Sequence, residues 1–311
     1  MAGNPYISFM KNSERVLIWI AFAIISTVWG TTWLAIRIGL ETVPPFLSAG
    51  VRCLAAAVIL YGIVRFQKLP VPMTASAWKV YLSLGVLTIG VPFALIYWGQ
   101  QYIPTGLSSI LFGAFPFCVA VLSHLMLRDE PMTFSKGVAI VLGFAGVVII
   151  YYSESSIADP RAFLGMSAVL ISVILQALAL ILIKKHGEPV SPLSMNFVGM
   201  AMGGIMVLLL SVAVEGERTV AWTAPAILSL AYLTLVGSVV TFVAYYWLLK
   251  KIDAVYVSLS SFINPIVAVV LGALILGERM PPTVFTGAAL VMVGLLVANG
   301  KGIYARVRKQ E

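Results

Sequence analysis

Two stretches of this sequence resemble each other: YWGQQYIPTGLSSILFGAFPFCVAVLSHLMLRDE at residues 97–130 and YWLLKKIDAVYVSLSSFINPIVAVVLGALILGE at residues 246–278. At a shift of 149 residues, aromatic, hydroxyl and proline residues coincide: Tyr97-Trp98 with Tyr246-Trp247, Ser109 with Ser258, and Pro116 with Pro265. Leucine matches are common by chance in apolar sequences, so the aromatic, serine and proline matches carry the comparison. The chain therefore contains an internal repeat whose two copies are separated by about half of its length.

The composition around this repeat excludes a soluble protein. The 311 residues are 60% hydrophobic and only 10% charged, and the mean hydropathy is +1.01, whereas soluble domains contain about 25% charged residues. A soluble domain could not bury that much apolar surface, and disordered or disulfide-stapled chains have a different composition. The chain is expected to be a polytopic membrane protein.

Ten stretches are apolar and long enough to cross a bilayer, which takes about 20 helical residues at 1.5 Å each. The predicted spans are Val16–Leu40, Phe46–Val64, Trp78–Gly99, Thr105–Leu127, Thr133–Tyr152, Phe163–Ile183, Pro192–Val214, Pro225–Leu249, Ala254–Leu276 and Thr283–Asn299. Because every connection between them is short, no soluble domain fits between the spans. The sequence predicts an all-α membrane protein with ten transmembrane helices.

The distribution of Lys and Arg predicts the orientation, since cytoplasmic loops carry an excess of these residues. With the N-terminus in the cytoplasm, fifteen Lys and Arg residues fall on the cytoplasmic side and three, Arg161, Arg218 and Arg279, fall outside. We therefore expect a multi-pass protein of the cytoplasmic (inner or plasma) membrane with both termini in the cytoplasm. This topology accounts for the net charge of +8, so nucleic acid is not an expected partner.

The repeat and the span count together predict the architecture. Each half, residues 1–157 and 158–311, contains five spans. Because five is odd, the second half must cross the membrane in the opposite direction, which makes the halves inverted five-helix repeats. Inverted repeats are typical of secondary transporters, whose binding site lies at the repeat interface.

The sequence resembles the ten-helix, EamA-type branch of the drug/metabolite transporter superfamily. The motifs that carry the resemblance are Trp29-Gly30-Thr31-Thr32-Trp33, Arg52, the run from Tyr97 through Pro116 to Glu130, and its second copy with Tyr246, Asn264-Pro265 and Gly277-Glu278-Arg279. The resemblance implies transport of small polar metabolites, with amino-acid exporters a prominent class. The second half departs from the pattern, with Gln176-Ala177 in place of Trp-Gly and Lys184 opposite Arg37. Unequal contributions of the halves to the site are therefore expected.

Polar and aromatic side chains inside the spans are the candidate site, because hydrocarbon penalises them unless they face a hydrated cavity or a ligand. The eighth span carries a stripe of such residues, Thr234, Ser238, Thr241 and Tyr245, at helical spacing. Small polar residues also serve interhelical packing, and for a single Ser or Thr this alternative stays open. The candidate substrate-binding residues are Trp29, Tyr97, Ser109, Gln176, Thr241, Tyr245, Ser258, Ser261 and Asn264.

Three prolines, Pro92, Pro116 and Pro265, lie within predicted spans. Each removes one backbone hydrogen bond and clashes with the preceding turn. A structural kink and a gating role remain equally open for these positions.

Charged residues within the spans are few. No Asp or Glu lies inside a predicted span, so proton coupling through an embedded carboxylate has no support. We expect Arg37 to form an ion pair with Glu41 at the rim. Arg52 is deeper and could meet a substrate carboxylate, but contact with helix C-terminal carbonyls is the favoured interpretation.

The sequence thus predicts a carrier and not an enzyme. It contains no metalloprotease, nucleophile-elbow or phosphate-loop motif, and neither a metal nor another cofactor is expected. The expected activity is export of small polar metabolites, above all amino acids including aromatic and hydrophobic ones, by alternating access and without ion coupling. A broad-range drug exporter is the nearest alternative, and a channel a more distant one. The expected partners are the small-molecule substrate and the lipid bilayer, with the chain acting as a monomer.

Overall fold

The structure is a computed structural model, which describes residues 12–127, 132–152, 159–186, 190–216, 218–252, 257, 260 and 263–307. The regular elements of this part of the chain are all helices. In chain order they are α1 (Asn12–Leu40), α2 (Pro45–Phe66), α3 (Ala75–Gly99), α4 (Thr105–Met126), α5 (Phe134–Tyr151), α6 (Pro160–His186), α7 (Pro192–Glu215), α8 (Ala224–Lys251), α9 (Ile263–Leu276) and α10 (Pro282–Val307).

Eight of these helices, α1 to α8, are long and apolar enough to cross a membrane, and α9 and α10 contain shorter apolar segments. Leu274 of α9 and Val212 of α7 are examples of large apolar side chains that are more than two-thirds exposed, at 78% and 76%. Such exposure suits contact with lipid chains, because lipid tails are as apolar as leucine. The prediction of an all-α membrane protein with ten helices is confirmed. Most of the N-terminal part of the predicted ninth span, including Ser258 and Ser261, lies outside the described residues.

The packing of the helices follows the inverted repeat. Helix α2 packs against α7, and α5 packs against α10, so that equivalent helices of the two halves pair with each other. Helix α1 packs against α8 and α9, while its equivalent α6 packs against α3 and α4. Exchanging the halves therefore reproduces the same contacts, as expected for two inverted repeats.

Glycine permits the closest of these helix contacts. A Cβ atom on Gly146 of α5 would lie 2.5 Å from the carbonyl oxygen of Gly287 in α10, and one on Gly287 would lie 2.6 Å from the oxygen of Gly146. No other residue type fits at such a distance, because small residues are what allow membrane helices to approach at backbone distance.

Helices α3 and α8 are interrupted at equivalent positions. Gly85–Gly90 in α3 and Leu235–Val240 in α8 form π-helical turns whose first residues are 150 positions apart. Turns of this kind inside α-helices are rare and are found mostly at functional sites. The repeat therefore includes an irregular feature of the backbone as well as the helix order.

The three predicted proline interruptions all fall at the start of helical segments. Pro92 follows the π-helical turn of α3, and Pro116 follows a break in α4 at Gly113-Ala114. Pro265 is the third residue of α9. At such positions the missing N–H costs little, because the first N–H groups of a helix have no partner within it. The breaks place carbonyl groups of α3 and α4 near the middle of the bundle.

Acidic side chains cap helix N-termini at one end of the bundle. We call the end that holds residues 40–45 side A and the end that holds residues 67–74 side B. On side A the buried Glu215 carboxylate accepts hydrogen bonds from Phe46 N and Leu47 N, both at 2.9 Å. Glu278 accepts from Thr105 N at 2.8 Å. Both carboxylates therefore cap a helix N-terminus, where the helix dipole favours negative charge.

Arg37 caps the opposite kind of helix end. Its Nη1 atom donates to Gln100 O at 2.8 Å and Gln101 O at 3.1 Å at the end of α3. The expected ion pair with Glu41 is wrong, since the salt bridge between described residues joins Lys251 to Glu14. The carbonyls at the α3 C-terminus lack helical partners and carry partial negative charge, which makes them the stronger attraction for a half-buried guanidinium.

Candidate functional site

A cavity of about 70 Å³ lies between the two halves of the bundle. Seven helices contribute to its walls, four from the first half and three from the second. The lining residues are Trp29, Thr32, Trp33, Ile36, Arg52, Phe93, Ile96, Tyr97, Phe112, Gln176, Phe242 and Asn264. Most come from α1 and α3, so the halves contribute unequally, as the departures in the second copy led us to expect.

Aromatic rings form much of the wall. Trp29 of α1 meets Phe242 of α8 edge to face at 5.6 Å between ring centroids, and Trp33 meets Phe112 of α4 in the same way at 5.6 Å. Phe93 of α3 completes the set at 6.2 Å from Phe242. Edge-to-face pairs are a favoured arrangement of aromatic rings, so the rings form a rigid apolar surface contributed by both halves.

Arg52 is the charged group of the cavity. It is only 3% exposed, and its guanidinium lies 5.0 Å from the centre of the Phe93 ring. Nε donates to Ser238 Oγ at 2.8 Å, Nη1 to Tyr97 OH at 3.0 Å and Nη2 to Gly237 O at 3.3 Å. All three acceptors are electrically neutral, and two belong to the π-helical turn of α8.

The position of Arg52 corrects the sequence interpretation. We expected helix C-terminal carbonyls as its partners, but Gly237 lies in the middle of α8 and Ser238 and Tyr97 offer hydroxyl groups. The π-helical turn explains the difference, since its irregular backbone presents a carbonyl to the bundle interior. A charged residue seven positions into an apolar helix was the signal that could have placed Arg52 in the site.

Gln176 presents an unused amide to the cavity. Its Nε2 atom is buried and has no hydrogen-bond partner among the described residues. A buried amide without a partner costs about 1–3 kcal/mol, and such groups are retained mostly where a ligand or water satisfies them. Gln176 is therefore a candidate contact for a polar substrate group.

Asn264 combines a cavity position with a structural one. The side chain is 1% exposed and lines the cavity from α9. When its amide is oriented so that nitrogen faces acceptors, Nδ2 donates to Ser26 O of α1 at 2.7 Å and to Ser260 O at 3.2 Å. Asn264 thus connects α1 to α9 at the edge of the cavity.

The structure brings together only part of the predicted substrate-binding set. Trp29, Tyr97, Gln176 and Asn264 line the cavity. Tyr245 lies behind Trp29, with ring centroids 4.9 Å apart. Thr241 donates within its own helix to Val236 O at 2.6 Å, and Ser109 is fully buried without a partner for its hydroxyl in the described part of the chain. Ser258 and Ser261 lie outside the described residues.

Acidic side chains are not among the residues that line the cavity. Nor do the described residues contain a group of three or more His, Cys, Asp or Glu side chains arranged to hold a metal ion. The polar chemistry of the cavity therefore comes from one guanidinium, two amides and a few hydroxyl groups, set in an aromatic wall.

A membrane-spanning bundle of two inverted halves that enclose a cavity is the architecture of a membrane transporter. The chain belongs to the EamA-like transporter family, which matches residues 17–152 and again residues 163–300. The family match therefore covers both halves of the bundle separately.

Relatives of similar length support this assignment. The uncharacterized transporter YoaV of Bacillus subtilis (strain 168) is 28% identical over 274 residues, which are 88% of this chain and 93% of YoaV. The uncharacterized inner membrane transporter YedA of Escherichia coli (strain K12) is 26% identical over 281 residues, 89% of each chain. A protein of known crystal structure, 15% identical, superposes with a TM-score of 0.70 over 92% of this chain and 98% of its own. The last comparison shows that the fold is shared.

Proposed function

We propose that this transporter exports amino acids, including aromatic and hydrophobic ones, by alternating access and without a coupling ion. The observation that carries the proposal is the cavity between the halves, whose aromatic wall surrounds one cation and one unpartnered amide. An amino acid with a large side chain offers matching chemistry: an apolar body, a carboxylate and an ammonium group. Ligand sites are commonly apolar with a few well-placed polar groups.

The size of the cavity supports a small substrate. Sites for drug-sized ligands span about 300–1,000 Å³, whereas this cavity has a volume of about 70 Å³. In this conformation it is too small for a drug-sized molecule. The aromatic pairs of Trp29 with Phe242 and Trp33 with Phe112 leave little freedom for the wall to adapt to much larger molecules.

The charge distribution supports an orientation with side B in the cytoplasm of an inner or plasma membrane. Side B carries Lys68, Lys184, Lys185, Lys250 and Lys251, in agreement with the excess of basic residues in cytoplasmic loops. Side A is then the outer side, towards which substrate is released. In this orientation both ends of the chain lie in the cytoplasm, as the sequence predicts.

The inverted packing supports alternating access. Since exchanging the halves reproduces the same helix contacts, a conformation closed on side B has a counterpart closed on side A. The interruptions in α3, α4 and α8 supply points at which these helices can bend without breaking regular hydrogen bonds. The prolines Pro92 and Pro116 mark two of these points and are our candidates for gating residues.

The proposal is tested by transport in liposomes that contain the purified full-length protein. Labelled amino acids, sugars, nucleosides and cationic dyes are offered separately, and uptake is measured with rising concentration. We expect saturable uptake of amino acids, with aromatic ones among the best substrates. Preference for dyes would favour a drug exporter, and uptake that does not saturate would favour a channel.

Two tryptophans of α1 provide a matched pair of variants for this experiment. Trp29 lines the cavity, whereas Trp19 is 61% exposed near the end of the same helix. Trp29→Ala should change the preference between aromatic and small substrates, because it removes part of the wall. Trp19→Ala should leave the preference unchanged. Equal losses for every substrate in Trp29→Ala would contradict a direct role of this ring in recognition.

A further inference from the structure

We infer that Arg52 binds the carboxylate of the substrate, which makes the site selective for carboxylates over amines that lack one. The inference rests on the proposed function, since it names the recognition element within the same cavity. It also goes further, because it specifies which substrate group every good substrate must carry. Three features of Arg52 support it: its unused donors, its uncompensated charge and its position beside the aromatic wall.

The hydrogen-bonding capacity of Arg52 is not exhausted. A guanidinium has five N–H donors, and Arg52 uses one each on Nε, Nη1 and Nη2 for Ser238, Tyr97 and Gly237. One N–H on each terminal nitrogen therefore has no acceptor among the described residues. Two parallel donors on the terminal nitrogens are the arrangement that binds a carboxylate in a bidentate manner.

The charge of Arg52 is also not compensated by the protein around it. Its three acceptors are neutral, and no acidic residue is among those that line the cavity. A buried charge is costly in a membrane unless it is paired, because its removal from water carries a large penalty even after relaxation. An incoming carboxylate supplies the missing negative charge, so its binding is favoured by the positive charge of Arg52.

The surroundings of Arg52 define how a substrate is oriented. The Phe93 ring covers one side of the guanidinium at 5.0 Å, which leaves the carboxylate to approach from the cavity. With the carboxylate at Arg52, the substrate side chain extends towards the wall formed by Trp29, Trp33 and Phe112. Organic cations meet the uncompensated positive charge instead and are rejected. This predicts discrimination against cationic drugs by electrostatics alone.

The experiment uses three probes of one shape that differ in charge. Phenylalanine has both a carboxylate and an ammonium, 3-phenylpropionate has only the carboxylate, and phenethylamine has only the ammonium. Each competes for uptake of labelled phenylalanine by the full-length protein in liposomes, and each is also tested for thermal stabilisation of the purified protein. We expect 3-phenylpropionate to compete and stabilise, and phenethylamine to be at least about tenfold weaker, as the loss of a charged hydrogen-bonded pair implies.

The outcomes separate the inference from the proposed function. Equal competition by phenethylamine and phenylalanine would overturn the inference while leaving amino-acid transport in place. Stabilisation by the two carboxylates but not by the amine, without transport of phenylalanine, would support the inference and contradict the proposed function. No stabilisation and no competition by any probe would contradict both.

Variants of two arginines connect the preference to one residue. Arg52→Lys keeps the positive charge but loses the two-pronged geometry, and Arg52→Gln loses both. We expect the preference for the carboxylate over the amine to fall in Arg52→Lys and to disappear in Arg52→Gln.

Arg37→Gln is the matched control, because Arg37 binds the end of α3 outside the cavity and should leave the ratio of carboxylate to amine binding unchanged. A structural role for Arg52 would lower all binding together and leave the ratio intact, which would overturn the inference. If Arg52→Gln does not fold, Arg52→Lys and the three probes on the unmodified protein still decide it.

Discussion

Arg37 and Lys184 make the same contact in the two halves of the protein. Arg37 donates to Gln100 O and Gln101 O at the end of α3, and Lys184 Nζ donates to Leu249 O at 2.7 Å and Ile252 O at 3.1 Å at the end of α8. The first contact is on side A and the second on side B. The two basic residues are 147 positions apart in the sequence. Each of them binds the C-terminus of the third helix in its half of the protein.

Removing either cation should destabilise the protein by a similar amount. A cation near a helix C-terminus contributes about 0.3–1 kcal/mol at exposed positions and up to about 2 kcal/mol when it is partly buried. We expect Arg37→Gln and Lys184→Gln each to lower the thermal unfolding temperature of the purified protein. Because the two sites are at opposite ends of the bundle, the double variant should lose the sum of the two effects.

Exposed cations of the same ends provide the controls. Arg161 on side A and Lys185 on side B are exposed, so Arg161→Gln and Lys185→Gln should leave the unfolding temperature nearly unchanged. A loss of similar size in these controls would mean that net charge, and not the contact with the helix ends, sets the stability.

Replacement by alanine should affect stability at Gln100 and substrate affinity at Gln176. Gln100 Nε2 donates to Trp33 O at 2.6 Å, whereas Gln176 Nε2 has no partner in the described structure. We expect Gln100→Ala to lower the free energy of unfolding by about 1 kcal/mol, because it removes a buried hydrogen bond between the end of α3 and α1. Gln176→Ala should retain stability but reduce substrate affinity. Unfolding curves and binding isotherms on the same preparations check both expectations, and a stable Gln176→Ala variant with unchanged affinity would remove Gln176 from the site.

Asn264 should affect both stability and transport. Its side chain lines the cavity, where water could replace a lost contact. The bonds of Nδ2 to Ser26 O and Ser260 O add a structural role, so Asn264→Ala should cost about 1–3 kcal/mol of unfolding free energy in addition to transport activity.

A second buried asparagine separates these two effects. Asn196 of α7 is fully buried and donates to Pro192 O at 2.8 Å, away from the cavity. Asn196→Ala should reduce stability but not transport per folded molecule. Transport that is normal per folded molecule in Asn264→Ala as well would show that Asn264 serves packing alone.

Transport should not depend on a pH gradient. No Asp or Glu is among the residues that line the cavity, and the buried Glu215 caps a helix N-terminus on side A. Proton-coupled carriers generally use an embedded titratable group. Liposomes with and without an imposed pH gradient should take up substrate at similar rates. Accumulation that requires the gradient and collapses on addition of a protonophore would contradict this expectation.

The sequence predicted the helices well because their signal is local. Apolar stretches such as Pro192–Val214 predict a spanning helix by length and composition, and the structure has Pro192–Glu215. The inverted relation between the halves could also be predicted, because the matched Tyr, Trp and Pro residues are visible in the sequence and do not depend on packing. Helix order and inverted architecture were therefore available before the structure.

The side-chain partners could not be predicted, because they depend on tertiary packing and on irregular backbone. Regular helical spacing placed Ser238 and Thr241 on one polar face. The π-helical turn breaks that spacing, so Ser238 accepts from Arg52 while Thr241 bonds to Val236 O. Arg37 and Arg52 likewise took partners that differ from those expected. Both are arginines in apolar helices, and only the packing of α3 and α8 decides which one meets a helix end.

The proposed role of the buried Arg52 in transport predicts a response to membrane voltage. Moving one elementary charge across the membrane corresponds to about 2.3 kcal/mol for each 100 mV. With a monocarboxylate such as 3-phenylpropionate bound to Arg52, the site is neutral and its reorientation is independent of voltage, whereas a zwitterionic amino acid leaves the loaded site with one positive charge. The empty site retains the positive charge, so its return is the step on which voltage acts. Exchange of one anion for another avoids that step, and should therefore proceed at the same rate in polarised and depolarised liposomes, whereas net export should not.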